Sequence, residues 1–328
     1  MAELKYDKKT GRLLFTKQMK KEYTILMPNM APIHFKILEK VFNYYGYKSD
    51  LLDTTGPEIA QTGLKYVHND TCYPALLVIG QFIDALNSGK YDLDHTALLI
   101  TQTGGGCRAS NYIKLLRKAL VKAGYGNIPV ASLNFSGLEK GSGLPLTVPL
   151  LRKVIASIFY GDMLVALRSQ THAYENHRGD ADAMTEKWIS TIQGWIRDDK
   201  NYSAHDMKRR FYDIAADYAT IPITRVPKVK VGVVGEIYVK YSPLGNNDLE
   251  KFLESQDCEV NLPGLMGFVE YCVANYKLDI DLYGGNKLVA GGADAFLSWL
   301  DGTVLIGYVL ATALVLGSGL LLCLALSV

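Results

Sequence analysis

From Tyr23 to Asn134 two hydrophobic periods alternate, and few architectures accommodate that pattern. Tyr23-Thr-Ile-Leu-Met27 is a short apolar, β-branched run stopped by Pro28-Asn29; Leu38, Val41, Phe42 and Tyr45 then recur at helical spacing until Gly46. Leu51-Leu52 closes a second strand, and Lys65-Tyr-Val67 opens a third unit as a strand. Pro74 to Leu86 has the spacing of a helix with proline in its first turn. Thr96 to Gln102 reads as a buried strand, Gly104-Gly105-Gly106 as a turn and Ser110 to Ala123 as a helix closed by Gly124. Ile128 to Asn134 is a further strand. Strands alternating with helices of this length predict right-handed βαβ units on a parallel sheet, a Rossmann-like α/β domain over residues 21–147 after a polar lead-in over 1–20.

Between 148 and 227 the strand signal gives way to helical spacing, interrupted by the polar stretch Thr171 to Asp182, which predicts a helical linker subdomain. The first pattern returns over 228–300. Val229 to Gly235 reads as strand, Asn246 to Ser255 as helix, Glu259 to Leu262 as strand and Leu265 to Ala274 as helix, the opening of a partial second α/β domain.

Gly302 to Val328 carries no charged side chain. Its apolar run from Val304 exceeds the ~20 residues that span a bilayer, so a C-terminal hydrophobic, transmembrane helix over 302–328 is expected, with a cytoplasmic body. No lysine or arginine cluster flanks it to set an orientation. The start is charged from Glu3 onward, unlike a signal peptide. Thirty-five basic against 33 acidic residues leave a net charge of +2, too little to displace counterions from nucleic acid. Five cysteines spread along the chain suit a reducing compartment, where a cysteine is a ligand, a nucleophile or a core residue.

Cys72 and Cys107 occupy equivalent places in successive units, each after a strand and before a helix. Such crossover loops emerge at the carboxyl edge of a parallel sheet, where open α/β folds bind ligands, and helix amino termini there favour an anionic thiolate or cluster. Gly104, Gly105 and Gly106 add unobstructed N–H donors. Spacing alone leaves open that both cysteines merely fall in turns. A phosphate loop, Thr103 to Arg108 with Arg108 as the anion partner, lacks the Gly-Lys-Ser/Thr ending. Cys258 precedes its strand and Cys272 falls inside a helix, so both read as buried packing cysteines. His68, four residues before Cys72, is a candidate donor to cluster or substrate; the alternative is an exposed loop histidine. Glu236 is a candidate base, with helix capping as the alternative. His172 and His177 lie beside loop-forming residues and carry no metal site.

Gly63-Leu-Lys-Tyr-Val-His-Asn-Asp-Thr-Cys-Tyr-Pro-Ala75, Ile100-Thr-Gln-Thr-Gly-Gly-Gly-Cys-Arg-Ala-Ser-Asn-Tyr112 and Ser132-Leu-Asn-Phe-Ser-Gly-Leu-Glu139 resemble the 2-hydroxyacyl-CoA dehydratase family, in its subgroup associated with the ATP-dependent activase. The resemblance spans roughly residues 15 to 290. It implies a [4Fe–4S] cluster with Cys72 and Cys107 as ligands. It also implies an ATP-driven activase as electron donor, a second dehydratase-type subunit as partner and an acyl-CoA or related small molecule as substrate. Gly235-Glu236 resembles the family's Gly-Glu turn. Family members bring a further cluster cysteine from the second domain, at a part this chain replaces with its hydrophobic tail. The alternatives to a dehydratase-like lyase are a non-catalytic electron carrier or scaffold and a truncated, inactive homologue.

Overall fold

The computed structural model describes residues 3–102, 108–134 and 147–300. Gly104, Gly105, Gly106 and Cys107, and the tail expected to span a membrane, lie outside the described residues. No helix among the described residues is long and apolar enough to cross a membrane.

In chain order, α1 (Met19–Glu22) precedes β1 (Thr24–Pro28), α2 (Pro32–Tyr44), β2 (Lys48–Leu52), α3 (Pro57–Tyr66), α4 (Tyr73–Asn87) and β3 (Thr96–Gln102). A 3-10 turn at Arg108–Asn111 leads into α5 (Tyr112–Lys122) and β4 (Val130–Asn134). The four strands form one parallel sheet in the order β2-β1-β3-β4, with Thr24 opposite both Lys48 and Thr96, and Leu98 opposite Val130. The chain moves outward from β1 to β2, then returns past β1 to β3. The carboxyl ends of β1 and β3 therefore flank the switch point at which open parallel sheets leave a crevice.

Period-two alternation explains why these strands read as unbroken apolar runs. Leu26, Leu98, Ile100 and Val130 face one side, against Ile79 and Phe82 of α4 and Leu116 and Leu120 of α5. Their neighbours Ile25, Met27, Ala97, Leu99 and Ala131 face the other, with Phe42 and Tyr47. A sheet covered on both faces needs no polar side. Each fully buried Leu or Ile stabilises the fold by about 1.5–3 kcal/mol.

The strand expected at Lys65-Tyr-Val67 is not formed; Lys65 and Tyr66 are the last turn of α3. Pro57 presets the first turn of that helix, and its buried Ile59 and Gly63 lie four residues apart on one face. One aromatic and one β-branched residue cannot outweigh a helix with a packed face. The connection from β2 to β3 thus contains two helices. The helix expected over Asn246 to Ser255 is also interrupted, because Asn247 and Asp248 adopt left-handed φ of 55° and 56°.

The remaining elements are α6 (Val148–His172), α7 (Asp180–Arg197), α8 (Ala204–Tyr218), β5 (Lys230–Gly232), α9 (Ile237–Tyr241), α10 (Pro243–Asn246), α11 (Leu249–Ser255), β6 (Glu259–Asn261), α12 (Leu265–Tyr283) and α13 (Lys287–Trp299). Of the described residues, those up to Leu151 together with Glu236–Asp248 form one compact unit. Arg152–Gly235 and the residues from Leu249 onward form the other. The second unit has a two-stranded parallel sheet, with Lys230 opposite Glu259. Within it Asp162 caps α12, its Oδ1 accepting the Leu265 N–H at 2.6 Å and its Oδ2 the Met266 N–H at 2.8 Å. Arg168 ties α6 to α7 and α11 through Asp182 at 2.6 Å, Glu250 at 2.7 Å and Glu254 at 2.8 Å.

Candidate functional site

Cys72 is the residue from which α4 starts. Its backbone is extended (φ −49°, ψ 128°) and its carbonyl accepts the Leu76 N–H at 3.2 Å. Pro74 follows in the first turn, where an N–H would have no helical partner. Because α4 ends at Asn87 and the chain soon enters the amino end of β3, α4 runs against the strands and begins at their carboxyl edge. Arg108, which follows β3, confirms the placement: its Nη1 donates to the Asp70 carbonyl at 3.3 Å. Cys72 therefore reaches the carboxyl edge from a helix-to-helix junction, and not from the strand-to-helix crossover that the sequence suggested.

A cleft of about 560 Å³ opens there, lined on one side by His68, Asp70, Thr71 and Cys72 and on the other by Arg108, Asn111 and Tyr112. Lys114 and Lys118, one turn apart on α5, extend the second wall. The Tyr112 hydroxyl donates to Cys72 Sγ at 2.9 Å. Arg108, Lys114 and Lys118 give this wall three cations, which suits an anionic occupant. His68 is exposed, and its Nδ1 accepts the Asp70 N–H at 3.2 Å while lying 3.3 Å from the Asp70 carboxylate. It is thus a loop histidine at the cleft rim, held by its own turn.

Rigid helix packing supports the thiol. Gly63 of α3 sits against the Leu76 carbonyl of α4, so the loop from Val67 to Thr71 is pinned between two helices in contact. Gln81 of α4 donates to the carbonyls of Leu52 at 3.1 Å and Thr54 at 2.9 Å, fixing α4 to the end of β2. The returning segment of α9 and α10 packs on the same core through Tyr238 and Leu244. Burial pushes the Tyr238 hydroxyl up to about 12, with Tyr73 and Glu236 adding to the shift and a hydrogen bond with Ser242 opposing it.

Glu236 is the cap of α9. Its Oε2 accepts the Val239 N–H at 3.1 Å, and the side chain is exposed and does not line the cleft. Cys258 and Cys272 belong to the second unit. Cys258 precedes β6 and is half-buried, and Cys272 on α12 is exposed, so the expected burial of Cys272 is corrected. Most of α12 turns little surface inward, with Met266 its one buried residue among those described. His172 ends α6, with Nδ1 3.0 Å from Glu175 and Nε2 3.5 Å from Glu254. His177 is exposed, 3.7 Å from Asp180.

A second cleft, of about 630 Å³, lies at the opposite edge by the amino ends of β1, β2 and β3, with Lys21, Lys48, Lys90 and His95 at its walls. It is larger but holds no thiol, and the topology places ligands at the other edge. Sequence reasoning assigned no role to Tyr112, Lys114 or Lys118. The spacing of the two lysines on α5 was visible; the approach of Tyr112 to a sulfur 40 residues away was not.

No protein-family model, curated protein or solved structure matches this chain.

Proposed function

We propose that the chain is an iron–sulfur protein of the 2-hydroxyacyl-CoA dehydratase type, receiving single electrons from an ATP-driven activase for dehydration or reductive chemistry on an acyl-CoA or related anionic substrate. The observation that carries this reading is the placement of Cys72: at the amino terminus of a 15-residue helix, at the carboxyl edge of a parallel sheet, with a hydroxyl donor on its sulfur and a cationic wall opposite. The sequence motifs around Cys72 and Cys107 supply the family.

The donor set fits one corner of a [4Fe–4S] cluster. Cys72 would hold it, with Cys107 as the second ligand; no group of three or more His, Cys, Asp or Glu suited to a metal ion stands among the described residues. Further ligands would come from outside the described residues or from a second dehydratase-type subunit. When bound, such a cluster supplies one-electron transfer. The chain's own residues do the rest. Tyr112 donates to the sulfur, the peptide N–H groups at the start of α4 and the cations of Arg108, Lys114 and Lys118 offset negative charge, and the 3-10 turn orients Arg108 against the Asp70 carbonyl.

The test is anaerobic iron and sulfide analysis of the full chain with Cys72→Ser and Cys107→Ser. Loss of iron and of the broad visible absorption in each single variant supports the reading, and wild-type iron content in both sinks it. One observation favours an electron carrier over a lyase: Glu236, the candidate base, is engaged as a helix cap. Reduction by activase and ATP without turnover of any 2-hydroxyacyl-CoA selects the carrier. The body is proposed to be cytoplasmic, with the tail from Gly302 as its membrane anchor; release by alkaline carbonate opposes the anchor.

A further inference from the structure

We propose that Tyr112 is a positioning residue for the Cys72 sulfur, holding its rotamer and withdrawing charge from it through the O–H···S hydrogen bond. The proposal rests on the iron–sulfur reading for its purpose, but not for its geometry. Tyr112 opens α5 directly after the 3-10 turn, and the helix is locked by buried Ile113, Leu116, Ala119 and Leu120. The ring of Tyr112 packs against the same core that buries α4. Both ends of the hydrogen bond are therefore carried by elements that cannot easily separate. At 2.9 Å the contact is short for a sulfur acceptor, which is larger than oxygen.

A space-filling role would be met equally by phenylalanine. What only the hydroxyl provides is a donor aimed at Sγ. It fixes the Sγ rotamer, and on a metal-bound sulfur such a donor would draw electron density from the bound group and raise its reduction potential. Placed beside three cations, the hydroxyl makes the cleft a site biased toward accepting an electron.

Two readouts on the full-length protein test this. In the iron-free, reduced chain, Tyr112→Phe should slow iodoacetamide alkylation of Cys72 at neutral pH, followed on its peptide by mass spectrometry. The factor is about threefold, because a sulfur no longer held toward the cleft divides its time among the three staggered rotamers. 3-Fluorotyrosine at position 112 keeps the shape and the donor, so it should leave the alkylation rate at the wild-type value, and an equivalent loss of rate there would overturn the role of the hydroxyl. After anaerobic reconstitution with ferrous iron and sulfide, Tyr112→Phe should bind as much iron as wild type, with a lower midpoint potential. An unchanged alkylation rate, or an unchanged midpoint at equal iron content, overturns the proposal. Should wild type bind no iron, the iron–sulfur reading falls and the alkylation arm alone decides the role of Tyr112.

Discussion

Gly80 of α4 stands so close to Gly63 of α3 that a Cβ on Gly80 would lie 2.9 Å from the Gly63 amide nitrogen, and nearer still to the Ile59 carbonyl. The two glycines let the helices touch backbone to backbone, and that contact holds the loop bearing His68 and Cys72. Gly80→Ala should destabilise the protein by about 1–3 kcal/mol, since backbone on the opposing helix has to move. Gly194, inside α7, is the control: a Cβ there meets only Arg197 Nη2, at 3.9 Å. Gly194→Ala should stabilise by about 0.5–1 kcal/mol through helix propensity. Urea midpoints of the two variants should move in opposite directions, and a shift in the same direction contradicts the packing described.

Arg168, only 16% exposed, faces three carboxylates. Burial opposes its charge, but Glu250 and Glu254 outweigh that and hold the guanidinium protonated. Arg168→Met should cost about 3–5 kcal/mol, because it leaves buried acidic groups uncompensated. Adding Glu250→Gln to Arg168→Met should recover part of the loss. Chemical denaturation of the two variants checks this, and additive effects would mean the groups are uncoupled.

Burial raises the pKa of Glu250, against the pull of Arg168. The folded state therefore binds this proton more tightly than the unfolded one. The stability it contributes is fully present below the ordinary carboxylate range and is lost as the pH rises through the shifted value. Glu250→Gln should flatten the fall in unfolding free energy between acid and neutral pH. Identical pH slopes for wild type and variant would refute the assignment.

Tyr174 donates to Glu259 at 2.5 Å, and Glu259 also takes Lys230 at 3.1 Å. Burial, followed by the Glu259 contact, pushes the Tyr174 hydroxyl up to about 12. Its contribution is complete below the unfolded value of about 10 and lost as the pH climbs through the raised one. Tyr174→Phe should cost about 1.5–3 kcal/mol at neutral pH and remove part of the alkaline loss of stability. Unfolding curves at neutral and alkaline pH measure both.

The carboxylate of Asp162 takes the first two N–H groups of α12, and a Cβ on Gly264 would lie 2.7 Å from Asp162 Oδ2. Asp162→Ala should cost about 2 kcal/mol, the upper end for a helix cap, because the acceptor is buried. Fraying of α12 should follow, seen as faster amide exchange at Leu265 and Met266. Unchanged exchange there would show that another group caps the helix.

Local sequence determined the elements whose hydrophobic period is long enough to leave no alternative. The run Thr96 to Gln102 is a strand because Ala97 to Ile100 are apolar toward both faces, and α4 and α5 follow from helical spacing bounded by Pro74 and Gly124. The position of Cys72 at a helix start was legible for the same reason. The three residues from Lys65 to Val67 carried too little period to decide, and the packed faces of α3 and α4 made Lys65 and Tyr66 helical, with Val67 the extended residue that follows. Strand order, the meeting of Arg108 with Asp70 and the aim of Tyr112 at Cys72 were settled only by tertiary structure. Each joins groups far apart in the chain, and no local period encodes which distant backbone or side chain will be brought within hydrogen-bond reach once the core between them is filled.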